Sequence, residues 1–583
     1  MGVQSRTTYC IDTSPQLVIF GSVGFKSSEP VTETLSGSRP PVQPSGREAS
    51  RFSLEFVDND PSLIFIGAQR LDAYLESHNQ LEALRIRSFL RGLSYTAFES
   101  SYRPGLRKPY AVVSMIGLIL YGIMHGVTSL RGLERMARLD LGCQWITGAI
   151  MPDHSVIGKF INRHAKLLNG SYFEELTRAV LKQTGGSATK VAGDGTVIQA
   201  AASRYGTLKA EAAATRARQA RKEVEAAPHE IEAQQKAQEK EKQAEEVARI
   251  ARERQEGRRA KGRDRGTAVV APSEPEAVIQ LMKNKAKAPA YKASITVNFQ
   301  RIITGRDVDP SNEIKVVEGM LDQTERIGGR RVEQGQYDAG YFSYQMIAMA
   351  LERNLDLLVP EGRARGEDDW EKSSSKQYPK NRFKYEPESD RYRCPGGDYL
   401  LPVRSSASLA SKEYVKYQGT KCASCKLKTK CSTSPNGRSV KRYPGDEGKE
   451  ALREVMQQEG ARAQYRNRQA WVEPVFGELR GVQGLTRFKR RGLEKTKIEF
   501  SLHTMAHNLR RYLVLTGMEA QKILPVLLLL LSLICTLCVG GGESSGSRQE
   551  RSGAEKTSVW LVRSYLAALK RHLSLRIHRP TLA

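Results

Sequence analysis

Apolar residues follow two different periods along this chain. Between Leu54 and about Leu168 they recur every three or four positions. The stretches RLDAYLESHNQLEALRIRSFL and YAVVSMIGLILYGIMHGVTSLRGLERMARLD therefore predict helices with one apolar face. PDHSVIGKFINRHAKLL opens on Pro-Asp, a helix-start signal, and continues as an amphipathic helix. From Lys190 the period shortens toward two. KVAGDGTVIQAA, YKASITVNFQ and RIITGRDV read as three successive strands, NEIKVVEGMLDQT as a helix, RVEQGQYDAG as a fourth strand, FSYQMIAMALERN as a helix and LDLLVP as a fifth strand. An all-α module followed by a mixed α/β sheet with flanking helices is the expected fold class.

Other segments lack this order. Residues 1–50 are rich in Ser, Pro, Thr and Gly without periodicity, and read as a disordered extension. Two insertions interrupt the α/β pattern. The first, about 206–265, is dominated by Ala, Glu, Lys, Arg and Gln, and predicts a long solvated helix or helical hairpin. The second, about 366–448, is polar and reads as a loop holding four of the eight cysteines. Near the C-terminus, ILPVLLLLLSLICTLCV (Ile523–Val539) carries no charge but is short for a membrane span and contains Pro525. It is read as a buried helix or an appended tail, and a membrane partner is not expected.

Charge narrows the range of partners. The chain has 91 Lys and Arg against 64 Asp and Glu, a net charge of +27, spread along its whole length. Such a surplus attracts polyanions, foremost nucleic acid. Eight cysteines in 583 residues do not make a disulfide scaffold, and no basic segment followed by an apolar core opens the chain, so a reducing cytoplasmic compartment is expected.

Against this basic background three carboxylates stand out. Asp194 lies between two glycines in VAGDGTVIQAAAS, at the expected end of the first strand. Asp338 lies in GQYDAGYFS, at the end of the fourth. Glu473 lies in WVEPVFGELR, expected to be helical. Ligand crevices of open α/β sheets lie off the carboxyl ends of strands, so two aspartates there and a glutamate on a covering helix can converge. Carboxylate oxygens suit Mg²⁺ or Mn²⁺, and two such ions serve in-line phosphoryl transfer.

These motifs, with the helical segments quoted above and GLTRFKRRGLEKTKIEFSLHTMAHNLRR, resemble the DDE transposases of bacterial insertion sequences over roughly residues 71–512. The resemblance implies a ribonuclease H-like catalytic domain in which Asp194, Asp338 and Glu473 are catalytic and hold two metal ions. It also implies double-stranded DNA as partner (element ends and target), a homodimer in the DNA complex, no small-molecule substrate, and a place at the nucleoid. The expected organisation is an extension at 1–50, a helical DNA-binding module at 51–185, the catalytic domain at 186–515 and a tail at 516–583.

Related transposases carry a Tyr, Arg, Glu, Lys signature on the glutamate helix. Tyr465, Arg468, Glu473 and Arg480 resemble it, with Arg in place of the final Lys and one extra residue between Arg468 and Glu473. Arg480 shares a helix face with Glu473, seven residues away. Glu478 is a rival carboxylate on a different face. Arg468 and Arg480, with Arg487, Lys489, Arg490 and Arg491 of the run RFKRRGLEK, are the candidate DNA contacts. Cys394, Cys422, Cys425 and Cys431 include one CxxC pair, and could hold a structural Zn²⁺ or stand as free thiols. A nuclease of the same fold and a non-catalytic DNA-binding descendant are the alternative functions.

Overall fold

The computed structural model describes residues 54–539 apart from 105–107, 229, 261, 263–266, 283–284, 363–376 and 404–413, and residues 518–539 by backbone alone. The expected extension at 1–50, the segment after 539 and the side chains of the Ile523–Val539 run lie outside this set.

The N-terminal region is helical, as its periodicity predicts. Its principal helices are α1 (Leu81–Arg91), α2 (Val112–Met124), α3 (Leu130–Leu139), α4 (His154–Arg163) and α5 (Ser171–Thr184). The Pro-Asp signal works as a cap: Asp153 Oδ1 accepts from Ser155 N at 2.7 Å and Val156 N at 3.0 Å at the start of α4. Helix α2 is buried on almost every side, so it forms the centre of the module rather than an amphipathic flank.

A six-stranded sheet follows. Its strands are β1 (Lys190–Gln199), β2 (Val278–Leu281), β3 (Lys287–Val297), β4 (Ile303–Asp309), β5 (Gln334–Gln336) and β6 (Asp356–Leu358). The main path runs β6-β5-β1-β3-β2, with β4 also on β3. β1, β3 and β4 pair antiparallel, while β5 runs parallel to β1 and β6 parallel to β5. The parallel steps are crossed by α8 (Val317–Gly328) and α9 (Tyr344–Glu352), after the hairpin α6 (Ala210–Glu225) and α7 (Ile231–Ala260) of the first insertion. That hairpin closes on small side chains, among them Ala213, Ala248 and Ala251, with Arg221 paired to Glu245 at 2.5 Å.

Each sheet face has its own core. Ala192, Ile198, Ile295 and Val297 join the helical module and the later helices, while Val191, Tyr337 and Leu357 pack with α8 and α9. Two further helices, α11 (Glu459–Gly481) and α12 (Leu493–Val539), cover the first face after α10 (Asp446–Gln457). Buried Asn508 pins α12 to the sheet: it accepts from Ile303 N and donates to Ile303 O, both at 2.8 Å, and donates to Thr177 on α5 at 3.0 Å. Among the described residues no helix is long and apolar enough to cross a membrane.

The second insertion departs from its expected loop character. It forms a five-stranded antiparallel sheet, β7 (Lys384–Glu386), β8 (Arg391–Arg393), β9 (Tyr399–Val403), β10 (Val415–Gly419) and β11 (Ser439–Arg442). Its core is small: Tyr378, Phe383, Tyr392, Leu400, Tyr417 and Val440. Strands this short and tyrosine-rich, between charged residues, give little alternation to read in sequence.

Candidate active site

Asp194 lies in the middle of β1, not at its end, and pairs across β3 with Ile295. The strand outlasts the motif because β3 pairs with it as far as Gln199. On the other side, pairing with β5 stops at Ala192 opposite Gln336. Beyond that pair the parallel strands part. Asp194 and Asp338 lie two residues past it on either lip.

The flanking glycines have a steric cause. A Cβ on Gly193 would collide with the Tyr337 ring, and one on Gly195 would come within 2.6 Å of Glu313 Cδ. Asp338 starts a 3-10 turn, Ala339–Tyr341, and accepts from Gly340 N at 2.9 Å. Its carboxylate is therefore held at the mouth of the opening.

The electrostatics concentrate on Asp194. Burial pushes its carboxyl up to about 6; Arg468 and the Gly195 amide oppose this, while Asp338 and Glu313 push further. Arg468 Nη2 stands 3.3 Å from Asp194 Oδ1 and donates to Gly193 O at 3.1 Å. Glu313, which no sequence motif marks, is paired with Lys292 at 2.8 Å. Tyr465 is near enough for both aspartates to raise its phenol, with burial as the main cause.

Helix α11 supplies the third expected carboxylate from the face above. It packs through Val472, Val475, Phe476 and Leu479, an i, i+3, i+4, i+7 stripe. Pro474 within it cannot bond to Ala470 O, and Arg301 Nε takes that carbonyl at 3.1 Å. Glu473 is exposed and accepts from Gln469 Nε2 at 2.8 Å; no described hydrogen bond or ion pair joins it to either aspartate. Arg480 on the same face reaches β1, donating to Thr196 Oγ1 and, at 3.3 Å, to Val197 O. Glu478 points to α12, 3.1 Å from His507 Nδ1, so it is no rival at the cleft.

Asp194 and Asp338 are thus near enough to act on each other electrostatically, while Glu473, on the helix face that Arg480 shares, is solvent-exposed. Among the described residues no three His, Cys, Asp or Glu side chains stand at metal-ligating separation, either here or at the cysteines.

The expected DNA contacts divide. Arg487, although exposed, is engaged, donating to Ala200 O at 3.1 Å, Ala201 O at 2.5 Å and Ala202 O at 3.3 Å. It is a structural brace for the chain after β1. Arg468 and Arg480 are likewise engaged on β1. Lys489 bonds Thr128 and Arg490 bonds Asn162 at 3.0 Å, tying the basic loop to the helical region. The loop backbone is held by carboxylates: Glu499 accepts from Lys489 N at 3.0 Å and Arg490 N at 2.9 Å, Glu274 from Gly492 N at 3.1 Å and Glu276 from Leu493 N at 2.6 Å. These glutamates had no sequence signal, because their partners are main-chain amides more than two hundred residues away for Glu274 and Glu276.

Two family profiles match the chain. A "Transposase DDE domain" matches residues 393–513, which include Glu473, the basic loop and the four grouped cysteines. A "Transposase domain (DUF772)" matches residues 70–163 of the helical region. No curated protein matches. Both profiles define the class as transposase. Together the two matches support a DDE transposase of the insertion-sequence type.

Proposed function

We propose that this transposase binds the inverted ends of its element through double-stranded DNA and cleaves and transfers strands at the Asp194–Asp338 cleft. The placement of these aspartates at one level of two parting parallel strands carries the reading. The strand order β4-β3-β1-β5-β6, antiparallel then parallel, is that expected of a ribonuclease H-like sheet.

The donor set fits hard divalent ions. It is all carboxylate oxygen, and burial, with Asp338 and Glu313 adding to it against Arg468, raises the Asp194 carboxyl that a cation would stabilise. Asp194, Asp338 and Glu473 would hold Mg²⁺ or Mn²⁺. Such ions, when bound as a pair, activate a water or 3′-hydroxyl and stabilise the leaving oxygen. The chain's own residues do the rest. Arg468 neutralises Asp194 and orients it toward the opening. Arg480 fixes the level of α11 against β1. Arg491 and the helical region meet DNA phosphates. Two element ends must meet for joining, so the working form is a homodimer.

The test is cleavage of duplexes carrying an element end. Asp194→Asn or Asp338→Asn should lower the rate on the order of 10³-fold or more, with end binding retained in a mobility-shift assay. Undiminished cleavage in either variant would remove the assignment. Pre-cut ends offered with a target plasmid distinguish strand transfer from plain nuclease action.

A further inference from the structure

We propose that the sheet β7–β11 is stapled by one structural zinc ion held by the thiolates of Cys394, Cys422, Cys425 and Cys431. The four come from three places: one after β8, two in the loop after β10, and one at the end of the short helix Lys428–Cys431. All four line a single cavity of about 570 Å³. None is in a disulfide.

The turns that carry them are formed to present sulfur. Cys394 N donates to Asp398 O at 2.7 Å and Gly397 N to Cys394 O at 2.9 Å, which closes a tight loop around the first thiol. Arg438 N points at Cys422 Sγ at 3.5 Å, the placement that stabilises a thiolate. Three glycines keep room for sulfur. A Cβ on Gly419 would collide with Cys422 Sγ, one on Gly437 would lie 2.8 Å from it, and one on Gly396 would stand 3.5 Å from Cys425 Sγ and 3.6 Å from Cys394 Sγ.

The charge of the cavity matches the complex. Four thiols binding one Zn²⁺ release four protons to solvent and leave a tetrathiolate with two net negative charges; no electron moves. Lys421, Lys426, Lys428 and Arg438 line the same cavity and offset that charge. Arg438 is itself fixed, donating to Tyr378 O at 2.8 Å. A hard cation would be repelled here, whereas soft thiolates select zinc.

The need for a staple follows from size. Among the described residues, six buried side chains are a small core for five short strands. Among the described residues the thiols do not stand at ligating separation; zinc binding therefore requires the turns to draw together over the cavity.

The full chain, purified without a histidine tag, should carry about one zinc by elemental analysis. Cys425→Ser with Cys431→Ser should lose it, while Cys143→Ala, buried in another region, should keep it. Should the double variant fail to fold, the wild type decides. Titration with a mercurial should release zinc in step with thiol loss, cobalt replacement should give thiolate-to-metal charge-transfer absorption, and the 393–442 segment should become protease-sensitive on metal removal. Metal-free protein whose four thiols react at once, or that yields disulfides after denaturation without reductant, would overturn the proposal.

Discussion

Asp194, within β1, and Asp338, just past the end of the parallel strand β5, each lie two residues beyond the last paired residues, Ala192 and Gln336. Neighbouring strands lie about 4.8 Å apart, so the parting strands hold the two carboxylates near one another without letting them touch. Gly193 sits at the hinge of this arrangement because Tyr337 fills the space where its side chain would be. Gly193→Ala should therefore cost ~1–3 kcal/mol and shift one aspartate against the other. Urea denaturation and cleavage rates check this, and adding Tyr337→Leu should recover part of both losses.

Arg468 is the cation beside Asp194. Arg468→Ala leaves a half-buried carboxylate without it and should destabilise the protein by ~1–3 kcal/mol in chelator. Divalent ions should restore more stability to this variant than to the parent, measured as the rise in Tm with added Mg²⁺. Equal rises would show that the ion does not bind beside Asp194.

Glu473 and Glu478 separate by consequence. Glu473 is exposed, so Glu473→Gln should change stability by less than ~0.5 kcal/mol while abolishing cleavage. Glu478 is engaged by His507. Glu478→Gln should lower Tm and leave a measurable cleavage rate. The opposite pattern in paired thermal and cleavage assays would exchange their roles.

Arg487 and Arg491 lie four residues apart in one basic run but serve different ends. Arg487→Ala strips donors from three partly solvated carbonyls and should cost ~1–2 kcal/mol. Arg491→Ala should leave stability unchanged, weaken binding evenly across DNA sequences and reduce the salt slope by about 1. Titrations at several salt concentrations read this directly.

His503 sets an acid limit. Burial, helped by the charge of Lys489, lowers its imidazole to about 3 from 6.5. The folded state therefore binds fewer protons than the unfolded state. Its contribution is full above pH 6.5 and is lost as pH falls toward 3, by as much as ~5 kcal/mol. His503→Gln should flatten this part of the stability–pH curve, measured by denaturation at stepped pH.

Much of this was legible along the chain. The strands around Asp194 and Asp338, the helix cap at Asp153 and the hairpin character of the first insertion follow from local period and composition. The β7–β11 sheet did not, because its strands are three to five residues long and gain their order from cross-strand tyrosines. Nor did Glu274 and Glu276, whose task is to accept from backbone amides of a distant loop.

By itself the sequence determined which residue types the protein has for metal and phosphate chemistry, because motif spacing and side-chain chemistry are local properties. Only the tertiary structure decided where each is spent. It set the aspartates together at parting strands, bonded Arg487 to the carbonyls after β1, and gathered four thiols around one cavity. Register and burial are set by contacts between residues far apart in the chain, and no local pattern records those contacts.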